Sequence, residues 1–320
     1  MVHNERMNHP PSRRLLLVHA HPDDETINNG ATMAGYAAAG VGVTLVACTR
    51  GEEGGVLVPS LAHLAASKED ALGAYREGEL AQAMSELGVS DYQFLGTPEL
   101  KFRDSGMIGT PPNENEGAFW RSELDDASKY LVEIIRDRKP QVLITYDEFG
   151  GYGHPDHIKA HQVAMRATEL AADPDFGSGE PWEISKIYWS AIPRSALHGS
   201  LTSSNVVVQI LIKFFDYVPS KWKALPFVKA DEVVTTKYDG EKFISQKLAA
   251  LKAHKTQLII DGDIFKFSKR LSTRIGGLEY YIRVKGEAVG PFDKNGRELD
   301  LFAGVTELFP NSDLSARLES

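Results

Sequence analysis

Cysteine is nearly absent: the 320 residues hold one, Cys48. That excludes a disulfide within the chain and any metal site built on a cysteine cluster. Cys48 sits in the apolar run Val43–Cys48 and reads as a buried small thiol. Long apolar stretches are missing too. The stretch near Val206–Phe215 is broken by Gln209 and Lys213 and is too short to span a bilayer. Met1 to Arg14 is polar, with prolines at 10 and 11 and no apolar stretch before a small-residue cleavage site, so no signal peptide is expected. Net positive charge is also lacking. A formal charge of -9 argues against a nucleic-acid binder working through general basicity. An anionic small substrate stays open, because one arginine in a pocket is invisible in a whole-chain charge. A cytoplasmic protein with no membrane segment is expected, and homo-oligomerisation is left open.

What is present is ordinary globular composition, 42% hydrophobic and 25% charged, enough for one large α/β domain or one with a smaller addition. Leu15–Val18 reads as a buried first strand of a parallel sheet. Residues 27–39 read as a helix stopped by Gly40, and Val43–Cys48 as the second strand, which makes one βαβ unit. Glu69–Leu87 has helical periodicity, Tyr92–Leu95 is a brief strand, and 96–117 is a long loop of the kind that is functional or disordered. A helix over Leu124–Arg138, a strand over Val142–Tyr146, a helix from His157 to Ala172 and a strand over Ile184–Ser190 follow. Further on, Val206–Phe215 suits helix or strand, 240–255 a helix and Leu278–Val284 a strand. The expected division is a flexible tail over 1–12, a catalytic core over 13–192 and closing elements over 193–320.

The polar clusters at 19–25, 50–54 and 147–157 all follow predicted parallel strands. In an open α/β sheet such strand ends share one rim, where ligands bind. The first cluster reads His19-Ala20-His21-Pro22-Asp23-Asp24-Glu25, the second Tyr152-Gly153-His154-Pro155-Asp156-His157. Imidazole and carboxylate together suit a borderline-soft divalent ion such as zinc, and a His/Asp/His set leaves room for water. Adjacent side chains diverge, so one of Asp23 and Asp24 can ligate while the other accepts a proton; His154 and His157 pose the same choice. Calcium fits poorly, for histidine is a poor ligand for a hard ion.

Other classes fail on motifs. A nicotinamide dehydrogenase wants Gly-x-Gly-x-x-Gly where this chain has carboxylates that would repel phosphate. A serine hydrolase wants a Gly-x-Ser-x-Gly elbow beside a strand. A non-enzymatic sugar-binding protein is the remaining competitor, separable by metal content and turnover of an N-acetyl sugar.

The segments 20–25 and 153–157 resemble the LmbE-like or PIG-L superfamily of zinc-dependent N-deacetylases. The stretches 48–54, 75–77, 103–107, 146–152, 290–293 and 300–304 are similar to its mycothiol-pathway branch, which deacetylates N-acetylglucosaminyl-inositol. The mycothiol S-conjugate amidases, or a deacetylase of another amino sugar, are the alternative. The resemblance implies a Rossmann-like, mainly parallel sheet with a smaller C-terminal lobe. It implies His21, Asp24 and His157 as ligands of Zn2+, or another divalent metal such as Fe2+, and Asp23 as general base. It implies His154 as acid or oxyanion partner, Asp156 as the group orienting His154, and Tyr152 as a donor to the substrate carbonyl. Arg76, Asp104 and His254 are implied as contacts to a small amino-sugar inositol substrate. Of Asp147 and Glu148, Asp147 is the better candidate for a carboxylate holding a ligand imidazole.

Overall fold

The structure, a computed structural model, describes residues 11–196, 228–258 and 276–308. Its strands are β1 (Arg14–His19), β2 (Gly42–Ala47), β3 (Asp91–Phe94), β4 (Val142–Thr145), β5 (Lys186–Pro193), β6 (Val228–Lys229), β7 (Thr236–Asp239) and β8 (Leu278–Lys285). The helices are α1 (Asp24–Ala38), α2 (Leu72–Leu87), α3 (Leu124–Arg138), α4 (Gly150–Gly153), α5 (Pro155–Ala172) and α6 (Ile244–Ala253). The segment Val206–Phe215 lies outside the described residues.

The sheet runs β3-β2-β1-β4-β5-β8-β7, with β6 beside β5. The first five strands are parallel; β8 pairs antiparallel with β5, and β7 antiparallel with β8. The C-terminal strands thus extend the edge of the same sheet. β1 is buried on both faces: Leu15 and Leu17 pack among Met33, Leu80 and Ala250, while Leu16 and Val18 face Leu131, Val163 and Ala164. Burial on both sides is why that strand reads as an unbroken apolar run.

From β1 the chain winds outward to β2 and β3, then returns to lay β4 on the other side of β1. Ligands bind at such a reversal, in the crevice past the strands' carboxyl ends. His21 to Asp24 follow β1, and 147–157 follow its neighbour β4, so two motifs over a hundred residues apart leave adjacent strands.

α2 starts at Leu72, three residues after the helix expected from Glu69. Residues 65–70 instead close a tight turn, with Asp70 N bonded to Ala65 O and Asp70 at φ 52°. α5 starts earlier than expected. Pro155 takes the first helical position, where its missing N–H costs nothing, and the His154 side chain caps the helix by accepting from Asp156 N.

Candidate metal centre

Three atoms from the two motifs form a nearly equilateral triangle. His21 Nδ1 lies 3.3 Å from Asp24 Oδ2, His157 Nε2 lies 3.3 Å from the same oxygen, and the two nitrogens are 3.3 Å apart. Tetrahedral ligands with bonds of about 2.0–2.1 Å stand about 3.3–3.4 Å from one another. The side chains are buried at the rim between β1 and β4.

The outer nitrogen of each ring is occupied. His21 Nε2 lies 3.2 Å from Asp156 Oδ2 and 3.5 Å from Asp104 Oδ1. His157 Nδ1 is 3.2 Å from the carbonyl of Gly150, and the ring stacks on Tyr146 at 4.3 Å. With N–H groups donated outward, both rings turn lone pairs toward the Asp24 carboxylate. Three acceptors facing one another call for a cation. Burial disfavours charge on His21, yet Asp104, Asp156 and Asp24 outweigh it and hold its proton well above the ordinary imidazole range. A metal ion bound here would take the place of that proton. Donor set, spacing and charge all fit a divalent cation.

His154 and His157 both have ring nitrogens within 4.8 Å of one on His21, as do the carboxylates of Asp104 and Asp156. Those carboxylates are already engaged. Asp156 accepts from Ser105 N at 2.9 Å and from the Ser105 hydroxyl, and Asp104 accepts from Gly106 N at 2.8 Å and Glu53 N at 3.2 Å. They serve as His21's outer partners.

Two expectations need correction here. Asp156 does not orient His154 through its carboxylate, which faces His21; its backbone N–H instead reaches His154 Nδ1 at 3.1 Å. A helix N-terminus aims its amide at the capping side chain, which frees the Asp156 carboxylate to turn away. Asp147 holds no ligand imidazole, because the Gly150 carbonyl takes that place. Asp147 accepts from Gly151 N at 2.8 Å and pairs with Lys229 Nζ at 2.5 Å, bracing the turn that carries Tyr152.

Asp23 stands beside Asp24 but points elsewhere. Its backbone, at φ 124° and ψ −33°, is in the region L residues avoid. That twist sends the carboxylate to Arg76 Nη2, 3.1 Å away, while Asp24 faces the two imidazoles. Burial pushes the Asp23 carboxyl up to about 6, although Arg76 opposes the shift. Arg76 is buried and also holds the carbonyls of Pro22 and Gly51. Its guanidinium occupies the place a Cβ on Gly51 would take.

Burial, reinforced by His21 and His157, holds His154 well below the ordinary range and therefore neutral. With Nδ1 accepting from Asp156 N, its one proton sits on Nε2, 4.0 Å from Asp104 Oδ1. The Tyr152 ring meets His157 edge-on at 4.8 Å between centroids. His254 is fully buried, with Nε2 3.0 Å from Glu25 Oε1, and so stands behind the catalytic motif.

Gly150 is required by geometry. It adopts φ 65°, and a Cβ there would lie 2.6 Å from Ile158 N and 2.7 Å from His157 Cβ. Gly150→Ala is expected to lower the stability of the metal-free protein by about 2–3 kcal/mol and to weaken metal binding by displacing the carbonyl that holds His157. Urea denaturation and metal titration check both.

Sequence reasoning missed Ser105, Tyr146 and the Gly150 carbonyl as supports of the two imidazoles. The long 96–117 loop was a signal for Ser105, and the β4 strand end for Tyr146.

A family model described as GlcNAc-PI de-N-acetylase (PIG-L) matches residues 16–168. The chain is 52% identical over 308 residues to the 1D-myo-inositol 2-acetamido-2-deoxy-alpha-D-glucopyranoside deacetylase of Streptomyces avermitilis, covering 92% of this chain and 98% of that one. Among solved structures, the N,N'-diacetylchitobiose deacetylase of Pyrococcus horikoshii matches with a TM-score of 0.55 at 19% identity, covering 86% of this chain and 84% of that one. The 4-carboxy-2-hydroxymuconate hydratase of Pseudomonas putida matches with a TM-score of 0.56 at 16% identity, covering 88% and 100%. At such identities the likeness shows the fold alone, and a hydratase on the same fold leaves the reaction to be read from the site.

Proposed function

The chain belongs to the PIG-L family, and from that premise we propose that it hydrolyses the N-acetyl amide of 1-D-myo-inositol 2-acetamido-2-deoxy-alpha-D-glucopyranoside. Acetate and the free amine are the products, and zinc is the resident cation. The observation that carries the reading is the 52% identity to a deacetylase of that substrate, sustained over nearly the whole of both chains. The acidic chain and the two-motif site agree with a small-molecule substrate. Among the described residues no helix is long and apolar enough to cross a membrane. Residues 13–192 would carry the catalytic core, and 193–320 the elements that close over it.

His21 Nδ1, Asp24 Oδ2 and His157 Nε2 would hold the cation. When bound, it supplies Lewis-acid polarisation of the amide oxygen and lowers the pKa of water. Asp23 is the base that takes the proton from the attacking water, for it lies next to the ligand set without joining it. His154, neutral and carrying its proton on Nε2, donates a hydrogen bond to the developing oxyanion, with Tyr152 as a further donor. The departing amine must be protonated, and Asp23 returns the proton it collected; a neutral His154 with its other nitrogen engaged is the poorer source.

The test is a side-by-side assay of zinc-loaded protein on the acetamido-glucopyranosyl inositol and on a mycothiol S-conjugate. Free amine is expected from the first, with the second at background. Release from the conjugate alone would replace the reading with an amidase, and release from neither would end it.

A further inference from the structure

Two buried ionisable groups take no part in the chemistry above: Glu25 and His254, both 0% exposed. They meet at 3.0 Å across 229 residues of sequence, through His254 Nε2 and Glu25 Oε1. His254 Nδ1 has no hydrogen-bond partner among the described residues, so a ring with one proton carries it on Nε2, directed at Glu25. The other Glu25 oxygen, Oε2, accepts the backbone N–H of Asp23 at 2.8 Å. The Thr26 hydroxyl completes the set on Oε1 at 2.6 Å.

The residue so held is the strained one. A non-glycine at φ 124° persists only where its surroundings fix it, and the Glu25 carboxylate is the group that fixes the Asp23 amide. From the far side, His254 closes α6, and the next turn is anchored on α2, where Thr256 N and Oγ1 donate to Glu79 at 2.9 and 2.7 Å. Among the described residues, the C-terminal part is thus hydrogen-bonded to the 20–25 motif through the His254 imidazole.

We infer that Glu25 and His254 are a positioning pair that holds Asp23 in its twisted backbone, keeping the base turned from the ligand set. Neither touches substrate. The inference rests on the reading of Asp23 as base, and it assigns His254 a different role from the substrate contact that the family resemblance implies.

The test compares His254→Ala, His254→Gln and Glu25→Gln with the parent zinc-loaded protein. The readouts are kcat and KM, cation stoichiometry and amide hydrogen exchange over residues 21–27. For His254→Ala and Glu25→Gln, kcat should fall about 10- to 100-fold with KM within about twofold, stoichiometry unchanged and exchange over 21–27 faster. Gln at 254 keeps an N–H for Glu25 and should recover kcat to within about threefold of the parent. A raised KM with unchanged kcat would make His254 a substrate contact and overturn the pair. So would unaltered exchange, equal damage by Ala and Gln, or failure of both His254→Ala and Glu25→Gln to fold. An inactive parent would instead sink the substrate reading, while the exchange comparison still judges the pair.

Discussion

Asp23→Asn is expected to keep the cation at its parental stoichiometry while kcat falls about 10²- to 10⁴-fold. Asp23 lies outside the triangle of His21, Asp24 and His157 atoms, and its carboxylate bonds to Arg76 instead. Asparagine is nearly the same size, can accept from Arg76 through its amide oxygen, and tolerates positive φ better than most residues. Its backbone N–H can still reach Glu25. Fold and ligands therefore survive, and what disappears is the ability to take a proton. The pH profile carries a second signature. Burial pushes Asp23 up to about 6, and a nearby bound cation pulls it down. The base is then ionised at neutral pH, and kcat/KM in the parent falls as pH drops through that lowered value, on the acid side of about 6. The residual rate of Asp23→Asn should lack that acid limb. Metal analysis together with a pH–rate profile decides the matter; loss of the cation from this variant would mean that the two aspartates have exchanged roles.

The topology was readable because it depends on local pattern. Leu15–Val18 and Val142–Ile144 are continuous apolar runs followed within a few residues by polar clusters, and such runs become neighbouring buried strands with their loops on one rim. Residue type brought imidazole and carboxylate to the inner face of the site but left Asp23 against Asp24 and His154 against His157 open, and it was the family resemblance that implied His21, Asp24 and His157. Neither gave the outer face. Whether Asp156 supports His154 or His21 depends on how a helix N-terminus is aimed, and the Gly150 carbonyl that holds His157 belongs to a backbone group without sequence identity. The Glu25–His254 contact joins α1 to the end of α6, and a single chain gives no sign of a pair that far apart. The early start expected for α2 failed for a related reason: Glu69 and Ala71 suit a helix by residue type, but the backbone over 69–71 spends its hydrogen bonds on a turn.

Asp24→Asn should do the opposite of its neighbour. Asp24 Oδ2 is the corner shared by both imidazoles, and an amide in its place removes the only charged ligand of the three. Burial disfavours the ionised form of Asp24, yet His157 and His21 overcome it and hold the carboxyl well below its usual range. This group is therefore an anion whenever the protein is folded at neutral pH, poised to face a cation. Its loss should cut metal affinity by more than the 10- to 100-fold that outer partners typically cost, so more than about 100-fold, and with it all measurable turnover. The amide also offers an N–H where the imidazoles present lone pairs, so the remaining two nitrogens lose their common orientation. Stability gives a second, activity-free reading. A cation that binds only the native state raises the melting temperature as its concentration rises, so zinc is expected to stabilise the parent and Asp23→Asn alike and to leave Asp24→Asn unmoved. Equal stabilisation of both variants would place the cation elsewhere and remove the triangle as its site.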